Sequence, residues 1–153
     1  MSIALSTAGI AIKYAPETVA GTRPTGTYTT IAGIKSVSDL NPSPNAIDST
    51  TFDDLVWKTY ENGLKDFGGA ITFTANFTDT FKTAWGTLCT AAGSAEGSGF
   101  AIWFEVYVPG LTKGFFFPAS PSSIGMPAAT VDSLIEIQAR VSPTGAGGWF
   151  AKI

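Results

Sequence analysis

Histidine is absent from this chain of 153 residues, and cysteine occurs once, at Cys89. A chain without histidine cannot form a Ser-His-Asp triad or a histidine-ligated zinc site, and it lacks the commonest general base. A single cysteine can form neither an internal disulfide nor a thiolate metal site. We therefore expect no cofactor, no metal and no enzymatic activity, and we expect Cys89 to be a buried, unreactive thiol.

Other catalytic patterns are missing too. Asp53 and Asp54 are adjacent, and on a strand they would point to opposite faces, so a solvated turn is expected rather than an acid–base pair. The glycine-rich stretch 145–148 is not followed by a helix, so it is not a phosphate-binding loop. These absences favour a structural or binding protein over an enzyme.

Charge is scarce, since 14% of the residues are charged, against about 25% in typical domains. The formal net charge is −3, with nine basic and twelve acidic residues. Nucleic-acid binders usually carry a basic excess, so specific DNA binding is not expected. A surface this poor in charge is often buried against neighbouring subunits, although threonine-rich strands also explain much of the shortfall.

Long hydrophobic runs are also lacking. No apolar run approaches the roughly 18 residues of a membrane-spanning helix. The apolar N-terminal stretch has no basic residue before Lys13, unlike a secretory signal. We therefore expect no membrane anchor, and a protein that is made in a cytoplasm and used there or assembled from it.

What the sequence does contain is the two-residue alternation of β-strands. Turns rich in glycine and proline separate the predicted strands, which cover residues 27–37, 70–78, 100–108, 113–117 and 131–141. In the strand 70–78, the residues expected to point into the core are Ile71, Phe73, Ala75 and Phe77. Segments 118–129 and 143–150 are expected to be a loop and an irregular tail.

The period changes to about 3.6 residues over the stretch 79–92. Phe81, Trp85 and Leu88 then fall on one stripe, which predicts a short helix that packs on the core and ends at Gly93. Strands with two different faces favour antiparallel pairing. The sequence therefore predicts one domain over residues 1–153 that is mainly β, an antiparallel sandwich or barrel with one flanking α-helix.

Residues 41–69 fit neither pattern. Pro42 and Pro44 lack backbone donors, so a central strand cannot pass through 41–45. The glycine-rich stretch 63–69 is expected to be a turn. Between them the mixed stretch 46–60 predicts an extended arm or a long hairpin.

Many short pieces of the chain occur in one particular order and spacing. They are 14–18, 33–37, 50–54, 58–60, 63–69, the strand with Asn76-Phe77, the helix with Trp85, and 104–106 followed by 109–113. Through these pieces, nearly the whole chain resembles the major tail tube proteins of long, flexible-tailed (siphovirus-type) bacteriophages.

The resemblance implies a β-sandwich subunit with one flanking helix that forms hexameric rings, which stack into a tube. DNA passes through the channel of such a tube without specific binding. It also implies a place in the virion tail, assembly in the host cytoplasm, and tape-measure, tail-tip and tail-terminator proteins as partners. Some members of that family add a C-terminal immunoglobulin-like domain, which we do not expect here.

Residue roles follow from combining the resemblance with the strand pattern. We hypothesise that an arm spans to the adjacent ring through Ile47, Asp48, Ser49, Thr50, Thr51, Phe52, Asp53 and Asp54. The polar strand faces are expected to contribute to the channel wall through Thr72, Thr74, Asn76, Asp132, Glu136 and Gln138. The stripe of Phe81, Trp85 and Leu88 is expected to be structural support.

Two other functions remain open. A secreted tube-ring protein of a contractile injection system would share the tube fold. A β-sandwich carbohydrate-binding module is the other alternative, since Trp103 shares the outer face of its strand with Glu105 and Tyr107. That face is either a contact surface or a place where a surface aromatic is tolerated.

Overall fold

The computed structural model describes residues 9–53 and 55–153, and these form ten β-strands and one α-helix. The prediction of a mainly β, antiparallel fold with one helix is confirmed. The elements are β1 (Ala11–Pro16), β2 (Thr29–Ile31), β3 (Ile34–Val37), β4 (Ser43–Asp48), β5 (Tyr60–Asp66), β6 (Ile71–Asn76), α1 (Asp79–Gly97), β7 (Ile102–Tyr107), β8 (Lys113–Pro121), β9 (Glu136–Pro143) and β10 (Gly148–Ala151).

The main sheet is curled so that its two ends come together. Its strand order is β2-β1-β7-β8-β9-β6-β3, and β10 pairs with β8. β2 and β3 lie at opposite ends of this order, yet only Ala32 and Gly33 separate them in the chain. Three residue steps span at most about 11 Å, so the two end strands are neighbours in space.

The predicted strand 27–37 is therefore wrong as one continuous element. Gly33 has φ = 90°, a left-handed conformation that glycine adopts without steric cost. The turn at Ala32-Gly33 sends the chain from β2, which pairs with β1, to β3, which pairs with β6.

The inside of the curled sheet holds the hydrophobic core. Ile71, Phe73 and Ala75 alternate inward from β6, while Phe77, also expected there, is only partly buried. The Phe73 ring meets Trp85 of α1 at 6.2 Å and Phe104 of β7 at 6.1 Å between centroids. Aromatic pairs at such distances add to the burial energy. The helix thus fills the space that the curled sheet encloses.

Helix α1 begins at Asp79, where Thr78 is the N-cap and its hydroxyl accepts a hydrogen bond from the Phe81 N–H at 3.2 Å. Its buried residues are Phe81, Trp85, Leu88, Ala92 and Ala95. The indole of Trp85 also donates to the Ser122 carbonyl at 2.8 Å, which ties the helix to the end of β8.

The helix is longer than predicted, since it passes Gly93 and ends at Gly97. The apolar stripe continues through Ala95, and this burial outweighs the low helix propensity of one glycine, about 1 kcal/mol. Gly99, at φ = 79°, turns the chain into β7.

The sheet splits along one edge of β8. Near its start β8 pairs with β10, and near its end it pairs with β9, both on the edge opposite β7. Residues 144–147 loop out between these partners, and a Cβ at Gly147 would lie 2.9 Å from the Phe115 ring. Residues 118–121 and 148–151 are therefore strand, where a loop and an irregular tail were expected.

The strand predicted over 131–141 begins only at Glu136. Val131, at the start of the predicted strand, is 90% exposed. Asp132 has φ = 62° and lies in a turn. A non-glycine residue with a left-handed backbone cannot continue a strand, so the alternation at 131–135 is not realised.

We expect Trp85→Ala to lower the free energy of unfolding by about 3–5 kcal/mol, because the side chain is fully buried. Trp57→Ala is the matched control, since Trp57 is 80% exposed, and it should change stability by less than about 0.5 kcal/mol. Urea unfolding followed by circular dichroism measures both values. Equal losses for the two variants would contradict the described core.

A pair of glycine substitutions tests the closure of the sheet. Gly33→Ala should destabilise the fold by about 1 kcal/mol or more, because alanine is strained at positive φ. Gly86→Ala in α1 has open space around it and should stabilise by about 0.5–1 kcal/mol through helix propensity. Thermal unfolding should show shifts of opposite sign, and a shift of the same sign would count against the Ala32-Gly33 turn.

Candidate assembly surfaces

β4 and β5 form a separate two-stranded hairpin, which we call the arm. Its register runs from Ser43 opposite Asp66 to Asp48 opposite Tyr60. Pro44 is tolerated in β4 because each strand of a two-stranded ribbon has one open edge. The turn predicted over 63–69 is wrong for its first half, because residues 63–66 belong to β5 and the chain turns only after Asp66. Of the two forms expected for 46–60, the structure has the hairpin.

The arm exposes an unusual amount of apolar surface. Seven of its large hydrophobic side chains are between 56% and 103% exposed: Ile47, Phe52, Leu55, Val56, Trp57, Tyr60 and Leu64. Extended apolar patches are rare on monomeric soluble proteins and mark interaction sites. The arm therefore has the properties of a surface that is buried in a complex.

Hydrogen bonds order the base of the arm tip. The Ser49 N–H donates to the Thr59 carbonyl at 2.9 Å, and the Thr59 N–H donates to the Thr50 hydroxyl at 2.9 Å. The Thr50 N–H also donates to the Asp48 carboxylate at 2.9 Å, and hydrogen bonds from Thr50 lower the pKa of Asp48. The tip is thus a defined loop closed at Ser49 and Thr59.

The structure places the residues predicted for the arm at the end of β4 and in this tip. Ile47, Asp48, Thr51, Phe52 and Asp53 are exposed, while Ser49 and Thr50 are half-buried. Asp54 lies outside the described residues. The stretch 55–57 lies within the predicted arm but was not named among its contact residues, although three consecutive apolar residues in a segment without regular alternation were a usable signal.

Five of the six predicted channel-wall residues share one sheet face. In the pairing of β6 with β9, Thr74 lies opposite Gln138 and Asn76 lies opposite Glu136. Thr72 follows on the same side, away from the core residue Phe73. Together with the segment 122–128, this polar face borders a cleft of about 620 Å³.

Asp132 does not join this polar face, because it lies in the turn before β9. The face instead includes two cations that sequence reasoning did not assign. Lys35 forms an ion pair with Glu136, and Arg140 donates to the Gln138 side chain at 3.3 Å. The face therefore carries one carboxylate beside two basic groups and is not acidic.

The outer face expected around Trp103 is largely covered. The Trp103 indole donates to Glu17 at 3.2 Å, and Trp103 packs against a cluster of Ala15, Tyr28 and Phe116. Glu105, expected on the surface, is fully buried and accepts a hydrogen bond from the Ile153 N–H at 3.2 Å. The expectation of an open Trp103 face was wrong, because segment 17–28 and Ile153 fold over it.

Tyr107 is the half-exposed member of that face. The ammonium groups of Lys13 and Lys152 lie 4.6 Å and 4.5 Å from its ring centroid. Cations at this distance are attracted to an aromatic face, so they occupy the ring surface that a sugar would stack on.

Cys89, the single cysteine, is a half-buried free thiol on α1. Burial raises the pKa of the Cys89 thiol, which makes it less reactive. Within the described ranges there is no cluster of residues that could hold a metal ion. No described helix is both long and apolar enough to cross a membrane.

Comparisons with known proteins bear on the fold. No family model and no curated protein sequence matches this chain. Among solved structures, a chain of the virion of a native gene transfer agent particle matches with a TM-score of 0.62 and 17% sequence identity. The match covers 97% of this chain and 100% of that chain. The two chains thus share their fold over nearly their whole lengths.

Tyr28 provides a test of the covered outer face. Its hydroxyl donates to the Pro24 carbonyl at 2.9 Å, and burial raises the pKa of Tyr28 to about 12. Folding stability should therefore fall as pH rises from about 10 towards 12, since the unfolded phenol loses its proton first. Ultraviolet titration should show a phenolate phase near pH 12, and Tyr28→Phe should remove it. A late phase that persists in this variant would refute the assignment.

Proposed function

We propose that this chain is a structural subunit of a phage-type tail tube, in which six copies form a ring and rings stack around a channel for DNA. The observation that carries this proposal is the arm, an exposed apolar hairpin on a curled-sheet core. The fold of that core is shared with a chain of a gene transfer agent virion. A subunit of this form is built to bury its arm in a neighbouring copy.

The arm is the proposed contact between adjacent rings, through 47–54 and the apolar tip that follows. Fully burying an apolar side chain contributes about 1.5–3 kcal/mol. The four largest apolar groups of the tip are Phe52, Leu55, Val56 and Trp57. Together they would supply about 6–12 kcal/mol, which is close to the cost of association, about 4–15 kcal/mol. One arm alone binds weakly, whereas a ring with six arms binds cooperatively.

The polar face of β6 and β9 is the proposed contribution to the channel wall, through Thr72, Thr74, Asn76, Glu136 and Gln138, without Asp132. Threonine and amide groups offer DNA no net charge, and the ion pair with Glu136 offsets Lys35, so Arg140 is the one uncompensated charge of this face. A single cation per copy attracts phosphate only weakly. DNA would then pass without specific binding.

The proposal includes a virion tail location, assembly in the host cytoplasm, and partnership with tape-measure, tail-tip and tail-terminator proteins. A curled-sheet core with an exposed arm fits a subunit of a long, flexible tail. It equally fits a tube subunit of a contractile injection system. A carbohydrate-binding module is less favoured, because Trp103 is packed against Phe116 and lysines lie over Tyr107.

Electron microscopy of the purified protein in negative stain tests the proposal. Six-fold rings or tubes are the expected particles at high protein concentration. A protein that stays monomeric at every concentration tested, and also with tail-tip components present, would contradict it.

An arm-shortened variant tests the role of the tip. Replacing residues 50–58 with Asn-Gly would close the hairpin at the Ser49–Thr59 pair with a two-residue turn. The variant should keep the far-ultraviolet circular dichroism and melting temperature of the wild type, because the replaced tip contributes no core residue. It should form no stacked tubes, and tubes of normal length would refute the role of the arm.

A further inference from the structure

We propose that the arm tip of one copy binds the open edge of β10 in a second copy. This inference rests on the proposed function in so far as the arm is taken to join copies. It adds the surface that receives the arm, which has three matching properties: an open strand edge, exposed aromatic side chains and opposite charge.

β10 has an open strand edge. It pairs with β8 alone, since the loop 144–147 separates it from β9. No described residue forms a backbone hydrogen bond with its other edge. The arm strands likewise pair only with each other. An open edge accepts an added strand through backbone hydrogen bonds, and the outer edges of both elements are available.

Exposed aromatic side chains flank this edge. Trp149 is 54% exposed and Phe150 is 38% exposed. The Trp149 ring packs against Phe115 at 5.3 Å, and the Phe150 ring lies 4.3 Å from the Arg23 guanidinium. Both rings are therefore held in place before a partner arrives. Pre-ordered tryptophan and aromatic residues are typical of the positions that dominate interface energies.

The charges around β10 and the arm tip are opposite. Lys13, Lys113 and Lys152 surround the end of β10, and none forms an ion pair with a described carboxylate side chain. Lys13 donates to the Ile153 carbonyl oxygen at 2.9 Å and Lys152 donates to the Pro109 carbonyl at 3.3 Å, so both charges are held in place. The stretch 47–59 of the arm contains three aspartates and one basic residue, Lys58, and is therefore acidic. Complementary charges steer association and fix its register.

A second exposed apolar segment is a poorer receptor. Met126, Val131 and Leu134 are all more than 70% exposed. The charged residue within 122–135 is Asp132, which has the same sign as the aspartates of the arm tip. Charge therefore favours β10 over this segment.

The arm tip does not bind β10 of its own copy. Phe67, just after the arm, contacts Phe115 beside β10 at 6.3 Å between ring centroids. From Asp66 to Tyr60 the hairpin rises about 20 Å, so its tip lies far from that base. The contact joins different surfaces on two copies, which leaves a free arm and a free β10 at the two ends. Such heterologous contacts propagate, as the stacking of rings requires.

Photo-crosslinking locates the receptor. A photoreactive phenylalanine analogue at position 52 should crosslink to peptides containing 113–117 or 148–152 of another copy, as identified by mass spectrometry of assembled protein. Crosslinks to 122–135, or from arm to arm, would overturn the inference. Tubes that form while crosslinks map elsewhere would leave the proposed function intact, and a protein that forms no assemblies and no crosslinks contradicts both.

Charge reversal tests the steering. Lys113→Glu with Lys152→Glu should raise the concentration needed for tube growth by about tenfold, as should Asp53→Lys in the arm. Combining the three substitutions should recover most of this loss, because the charges are again opposite. Lys82→Glu, on the exposed side of α1, is the control and should have little effect. Equal effects of Lys82→Glu and the β10 variant, or no recovery in the triple variant, would contradict the proposal.

Discussion

Strand edges need hydrogen-bond partners, and this requirement organises the whole molecule. The chain satisfies it for most strands within one curled sheet, whose end strands β2 and β3 come together at the Ala32-Gly33 turn without pairing to each other. Helix α1 then fills the enclosed space through Trp85. Closure stops at the split in β8, however, so β10 and the arm keep open edges. The proposed assembly uses two of the unpaired edges, those of β10 and of the arm.

The apolar surface follows the same division. Core residues such as Phe73 and Phe104 are fully buried, while the arm keeps Phe52 and Trp57 in solvent. The net charge of only −3 would cause little electrostatic repulsion between copies in the proposed assembly. The buried core and the exposed apolar arm lie in different elements of the fold, so the exposed arm residues are not needed for the packing of the core.

Local signals explain what the sequence predicts well, and non-local pairing explains the rest. The alternation in β6 and the helix start at Asp79 depend on nearby residues, so both are readable from the chain. The split of β8, the β10 strand and the burial of Glu105 depend on partners distant in sequence. The exposure of Leu55, Val56 and Trp57 likewise depends on the fold, because the sequence of an apolar stretch does not show whether it is buried or exposed.

A cryo-electron microscopy reconstruction of assembled protein tests the central claim most directly. We predict six-fold rings in which each arm reaches an adjacent ring and its tip covers Trp149 and Phe150 of another copy. The side chains of Thr74 and Glu136 should face the channel. Rings whose arms remain in solvent, or a tube with Thr74 and Glu136 both on its outer surface, would contradict the account.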